Sequence, residues 1–310
     1  MLSRTANNLY WLARYMERMD YMARLLEVGQ RMAGFRGTGN DWESALIASG
    51  CEPLYKQKHE TVSAPAVIDF LLRDPDNPSS VQSCIQVARQ NARAVRTAIT
   101  VDTWEAINGT WQESRDLFGA KLGPESLSRV TDWAKTRAVL FRGAYGSTML
   151  RSEAYYFARL GSHVERADNT ARILDVKYHV LMPQYEAVGG GLDYYHWTAI
   201  LRAASALRAY HWVYKDRVKP WNVAELLILR PEMPRSLRAS YDEITENLER
   251  LGGAHSGRFG ECHRLAGELH ARLRFGRIDN IFQMGLHEFL TEYIDRNIEL
   301  GEEISAFYLF

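Results

Sequence analysis

Leu12-Ala13-Arg14-Tyr15-Met16-Glu17-Arg18-Met19-Asp20-Tyr21-Met22-Ala23-Arg24-Leu25-Leu26-Glu27-Val28 returns, without a gap, as Leu160-Gly161-Ser162-His163-Val164-Glu165-Arg166-Ala167-Asp168-Asn169-Thr170-Ala171-Arg172-Ile173-Leu174-Asp175-Val176. The offset is 148 residues. The shared frame is Glu-Arg-x-Asp-x-x-Ala-Arg-(Leu/Ile)-Leu-(Glu/Asp)-Val. In the first copy Leu12, Tyr15, Met16, Met19, Met22, Ala23 and Leu26 recur at steps of three and four. Arg14, Glu17, Asp20, Tyr21 and Arg24 fall on the opposite face, which is the pattern of an amphipathic helix. No Pro or Gly interrupts it between Ser3 and about Val28.

A second match removes chance as an explanation. Asp69-Phe70-Leu71-Leu72-Arg73-Asp74-Pro75-Asp76-Asn77-Pro78-Ser79-Ser80-Val81 returns as Glu225-Leu226-Leu227-Ile228-Leu229-Arg230-Pro231-Glu232-Met233-Pro234-Arg235-Ser236-Leu237. The prolines stop one helix, and Ser80 or Ser236 can cap the next. Helices are also predicted over Ser79–Val101, Ser126–Phe141, Ser152–Leu181, His196–Lys215, Ser236–Leu251, Glu261–Phe275 and Phe282–Tyr308. Breaks are expected at Gly34–Asn40, Asp74–Pro78, Gly119–Pro124, Pro183–Gly191, Arg230–Pro234 and Leu251–Gly257. No segment shows sustained strict alternation, so no sheet is expected. The reading is an all-α helical bundle, one domain over 1–310, built from two pseudo-two-fold-related repeats of about 1–148 and 149–310.

Composition narrows the function classes. Of the 310 residues, 46% are hydrophobic and 25% charged, an ordinary globular balance. Lys+Arg and Asp+Glu both number 38, so bulk charge gives no pull toward nucleic acid or anionic lipid. Cys51, Cys84 and Cys262 form no CxxC pair and no disulfide framework, which fits a reducing compartment. The N-terminus has no apolar core of a signal peptide, and runs such as Leu226-Leu227-Ile228-Leu229 are too short to span a bilayer. A cytoplasmic protein without nucleic-acid or membrane partners is the expectation.

The chemistry-bearing residues are charged and duplicated. Glu17 and Arg14, Asp20 and Arg24, and Asp168 and Arg172 stand three or four apart and can pair along a helix. Alone they describe a solvated face. Repeated at matched positions, they can meet across the pseudo-axis, with Glu17 near Arg172 and Glu165 near Arg24, and either fix the pairing of the helices or grip a carboxylate or phosphate. Arg89, Arg93 and Arg96 form a basic stripe at helical spacing, a solvated face or a docking surface for an acidic group. No HExxH and no Glu-x-x-His pair occurs, so no metal is assigned. No phosphate-cradling loop, dinucleotide fingerprint or nucleophile elbow occurs, so no cofactor is assigned. Tyr10, Trp11, Trp104, Trp111 and Trp133 read as core or interface anchors.

The opening Met1-Leu2-Ser3-Arg4-Thr5-Ala6-Asn7-Asn8-Leu9-Tyr10-Trp11-Leu12-Ala13-Arg14-Tyr15-Met16-Glu17-Arg18 closely resembles that of the bacterial alpha-E family, all-helical proteins with a Glu-Arg motif. Ala88-Arg89-Gln90-Asn91-Ala92-Arg93-Ala94-Val95-Arg96, followed by Trp104 and Asn108, resembles a second signature of that family. Leu160-Gly161 with Glu165-Arg166-Ala167-Asp168, and Pro234-Arg235-Ser236, resemble two more; Ser162 stands where the family pattern has a basic residue. The resemblance spans nearly the whole chain. It implies association with a circularly permuted ATP-grasp protein in an amide- or peptide-ligating system. On that reading the chain is an accessory or substrate-binding subunit for a carboxylate, peptide or acyl-phosphate ligand, inactive as a ligase without its partner. A stand-alone transferase or ligase using the Glu-Arg cleft is the alternative, and a homodimeric helical scaffold is a third. The candidate binding residues are Arg14, Glu17, Arg18, Asp20, Arg24, Arg89, Asn91, Arg93, Arg96, Glu165, Arg166, Asp168 and Arg172; no catalytic residue is named.

Overall fold

The computed structural model describes residues 1–33, 41–119, 124–180, 191–254 and 257–310. Among these the chain forms helices and no strand. In chain order they are α1 (Ser3–Ala33), α2 (Asp41–Ser49), α3 (Glu52–Lys58), α4 (Ala64–Leu72), α5 (Val81–Ala94), α6 (Val101–Gly119), α7 (Pro124–Thr148) and α8 (Glu153–Val180). There follow α9 (Gly191–Ala203), α10 (Leu207–Tyr214), α11 (Pro220–Ile228), α12 (Leu237–Ala254), α13 (Glu261–Phe275), α14 (Ile278–Met284) and α15 (Leu286–Tyr308).

The two long Glu-Arg helices, α1 and α8, pack against each other at the centre. α1 is flanked by α5 and α7, with α6 resting on both; α8 is flanked by α12 and α15, with α13 resting on both. Leu9, Leu12, Met16, Met19 and Leu26 of α1 and Leu160, Val164, Ala167, Ala171 and Leu174 of α8 are fully buried, as their helical spacing requires. Tyr10 is also buried, while Trp11, Trp104, Trp111 and Trp133 are partly buried against the core. All three cysteines are buried and free. No described helix is long and apolar enough to cross a membrane.

The matched proline turns behave as helix punctuation. The Ser80 hydroxyl accepts from the Ser83 amide at 3.2 Å, and the Ser236 hydroxyl from the Ala239 amide at 2.9 Å, each satisfying a free N–H of the first helical turn. Three predicted helices are shorter than expected. The one over Ser79–Val101 ends at Ala94, and a turn leads into α6, whose start is capped by Thr100 accepting from the Thr103 amide at 3.3 Å. His196–Lys215 is divided by Ser205, at φ 55° in the left-handed region that ends a helix. Phe282–Tyr308 is divided by Gly285, at φ 102°. The expected breaks at Gly34–Asn40, Gly119–Pro124 and Pro183–Gly191 fall almost entirely outside the described residues. At the break expected over Leu251–Gly257, α12 continues to Ala254, and residues 255–256 are outside as well.

Candidate functional site

The Glu-Arg motifs pair with each other reciprocally. Arg166 of α8 donates from Nε and Nη2 to the two carboxylate oxygens of Glu17 at 2.9 and 3.0 Å. Arg18 of α1 donates likewise to Glu165 at 2.6 and 3.1 Å. Each pair is a two-pronged guanidinium–carboxylate contact, the strongest geometry available to these groups. The expected pairing of Glu17 with Arg172 and Glu165 with Arg24 is therefore corrected. Arg24 bonds Asp20 at 3.0 Å and Arg172 bonds Asp168 at 2.7 Å, each along its own helix. Arg24 also donates to the Ala203 carbonyl at 2.6 Å and to Ser205 at 2.8 Å, placing a cation at the C-terminal end of α9 where the helix dipole favours one.

Around these pairs the two copies differ. Glu165 receives a further bond from Arg14 at 2.7 Å, and Arg14 and Arg18 lie over the rings of Trp11 and Tyr15. Glu17 instead gathers Arg142 of α7 at 2.9 Å and Arg235, just before α12, at 3.3 Å. The same two arginines reach Asp20 at 3.2 and 2.6 Å. The position matching Arg14 is Ser162, which cannot carry a charge, so this side recruits its guanidiniums from other elements. Neither Arg142 nor Arg235 was among the sequence-derived candidates. Arg235 lay inside a recognised motif, but Arg142 has no signal in its own neighbourhood.

The electrostatics is unbalanced. Glu17 is 2% exposed and Asp20 fully buried, and these two carboxylates face Arg24, Arg142, Arg166 and Arg235. Among the described residues the cluster thus carries two more positive than negative charges. Burial alone would raise the Glu17 carboxyl, but Arg166 and Arg142 outweigh it and hold it well below its usual range. Burial opposes the Glu165 carboxylate in the same way, and Arg18 and Arg14 bring it down from 4.5 to about 2. Arg235 moves oppositely to Arg166: burial lowers it to about 10 against the pull of Asp20 and Glu17, with Arg24 and Arg166 adding to the lowering.

His163, one turn before Arg166, is 6% exposed, and its Nδ1 has no hydrogen-bond partner among the described residues. Burial first, then Arg166 and Arg159, push its imidazole well below 6.5. The unfolded chain takes up a proton at His163 near pH 6.5 and the folded chain does not, so this contribution to stability is lost as pH falls below 6.5. The carboxylate contribution is present above 4.5 and is lost as pH falls from there toward about 2. We expect the melting temperature to fall in two stages on acidification, with His163 contributing no more than about 1.4 kcal/mol per pH unit to the upper one. His163→Gln should remove most of the upper stage and leave the smaller share of His263, whose imidazole burial also lowers, read by thermal unfolding of both proteins between pH 8 and pH 5.

The remaining candidates lie apart from this cluster. Arg89 donates to Asn108 at 2.9 Å and sits 3.8 Å above the Trp111 ring; Arg96 sits 4.4 Å from the Trp104 ring. Two arginines of the stripe are thus engaged by tryptophans of α6 through cation–π contact. Arg93 is exposed and Asn91 half-buried on the same helix. No group of three or more His, Cys, Asp or Glu gathers as a metal site among the described residues.

Comparison with known proteins places the chain among relatives. The model of a family described as a predicted alpha-helical domain with a conserved ER motif matches residues 1–309. An uncharacterized protein of Mycobacterium bovis and one of Mycobacterium tuberculosis are each 25% identical to it over 94% of this chain. The match occupies 35% of each, so the chain spans about a third of the length of these curated relatives. No solved structure matches the chain.

Proposed function

This chain belongs to the Alpha-E family, and from that premise we propose that it is an accessory, ligand-binding subunit of an ATP-grasp-type amide- or peptide-ligating system, working with a circularly permuted ATP-grasp protein. The observation that carries this reading is the state of the two Glu-Arg motifs. Both glutamates are buried, ionised and held by two or more guanidiniums each. A general acid or base must exchange its proton near the working pH, and a carboxylate held at about 2 does not. The motif therefore suits a clasp between α1 and α8, which on our reading are the central helices of two copies of one unit, about 1–148 and 149–310. The stand-alone transferase reading needs an open Glu-Arg cleft and loses support for the same reason. Relatives three times as long support a unit that works beside other parts.

The test is reconstitution. The purified chain, an ATP-grasp protein from the same genome, and their mixture would be assayed for ADP release with amine and carboxylate substrates. Amide formation is expected in the mixture, with no turnover by this chain alone. Robust ATP hydrolysis by the single chain, at a site insensitive to salt, would overturn the accessory reading.

A further inference from the structure

A cavity of about 390 Å³ lies between α7, α8 and the start of α12. That volume is at the scale of a small-molecule site. Its walls are two helical stripes of opposite charge. Arg159, His163 and Arg166 recur at steps of four and three on α8, joined by Arg142 of α7. Asp242, Glu243 and Glu246 form the facing stripe on α12. Tyr145, Pro231 and Pro234 line the space between.

The basic wall is the open side of the over-charged cluster. Arg142 and Arg166 already share Glu17 and Asp20 with Arg24 and Arg235, which leaves the excess of positive charge described above. His163 lines the same wall, with its Nε2 4.0 Å from the Glu243 carboxylate. The acidic wall restricts what the anion can be attached to. Asp242 is engaged by Arg238 and by His270 at 2.7 and 2.6 Å, Glu243 by Arg159 with His163 4.0 Å away, and Glu246 is exposed with Arg250 3.6 Å from it. Carboxylates on that side repel the trailing charges of a polyphosphate and accept hydrogen bonds from an ammonium or amide N–H.

We propose that this cavity binds a small amino-carboxylate, a free α-amino acid or a short peptide, with its carboxylate against Arg142 and Arg159 and its amine toward Glu243 and Glu246. The ligand would enter the Arg159–Glu243 ion pair, each partner exchanging the other for the ligand group of opposite charge. The assignment deepens the accessory-subunit reading, on which its biological sense rests, but its test does not pass through ligase activity. A melting-temperature screen of the full chain against the twenty amino acids and glycylglycine would select the probe, and calorimetry would measure it. The best amino-carboxylate should bind about tenfold or more tightly than its des-amino acid, its carboxamide or inorganic phosphate. Arg159→Gln should weaken it by about tenfold. Glu243→Gln should weaken the amino-carboxylate but not the des-amino acid, a split that a merely structural role would not produce. Equal or tighter binding of phosphate or of the des-amino acid would overturn the assignment, and so would no binding across the screen. Neither result would bear on activity of the mixture with an ATP-grasp protein, so the two readings fail separately.

Discussion

Glu17→Ala should lower the unfolding free energy by about 3–5 kcal/mol, the cost of stripping one partner from a buried ion pair. The substitution leaves Arg142, Arg166 and Arg235 facing Asp20 alone, in a cluster that already carries excess positive charge. Domains of ordinary stability have only about 5–15 kcal/mol in total, so the loss is about a fifth of it or more. Glu165→Ala should cost less. It leaves Arg14 and Arg18, each over an aromatic ring, where Glu17→Ala leaves four guanidiniums around one carboxylate. Replacing Glu17 and Arg166 together should cost less than the sum of the single changes, by about 0.5–3 kcal/mol. Urea unfolding at pH 7, followed by far-ultraviolet circular dichroism, measures the wild type, the three single variants and the double variant. A Glu17→Ala loss below about 1 kcal/mol, the range of exposed pairs, would show that the clasp is solvated and not structural.

The parts of this arrangement written in the sequence are those with local periodicity. The apolar stripe of α1 and its image on α8, and the proline turns capped by Ser80 and Ser236, could be read without coordinates because each depends on neighbours within one or two turns. The helix stops inside His196–Lys215 and Phe282–Tyr308, which contain no proline, were not legible. Ser205 and Gly285 end helices through their positive φ, and nothing in the side chain of Ser205 announces it. The charged residues were found, but their partners were misassigned. Arg24 and Arg172 lie seven residues beyond Glu17 and Glu165, about 10 Å along a helix rising 1.5 Å per residue. Where α1 and α8 meet, the adjacent Arg18 and Arg166 are the ones that reach across. Arg142, Arg159 and His163 were missed because their roles arise only where α7, α8 and α12 come together, and none carries a local pattern distinct from a surface charge.

Gly161→Ala tests how closely those two helices must approach. Gly161 is in the interior of α8, where glycine costs about 1 kcal/mol of helix stability relative to alanine. By propensity alone the substitution should stabilise. A Cβ at this position would overlap the Tyr10 carbonyl oxygen of α1 and lie 3.0 Å from its carbonyl carbon. Those are backbone atoms, and unlike a side chain they cannot rotate aside. The helices must separate, and one turn along α8 the Glu165 bonds to Arg14 and Arg18, at 2.7 and 2.6 Å, must lengthen with them. Overpacking of this kind typically costs about 1–3 kcal/mol and occasionally more, which exceeds the propensity gain once the strained ion pairs are added. The expected result is a net loss of about 2–4 kcal/mol by urea unfolding. Gly267→Ala is the matched control. Gly267 is exposed within α13, and a Cβ there meets nothing within 4 Å, so the same substitution should stabilise by about 0.5–1 kcal/mol. Opposite signs for one chemical change would place the α1–α8 approach at backbone contact; a stabilising Gly161→Ala would mean that the Glu-Arg helices pack more loosely than their reciprocal ion pairs require.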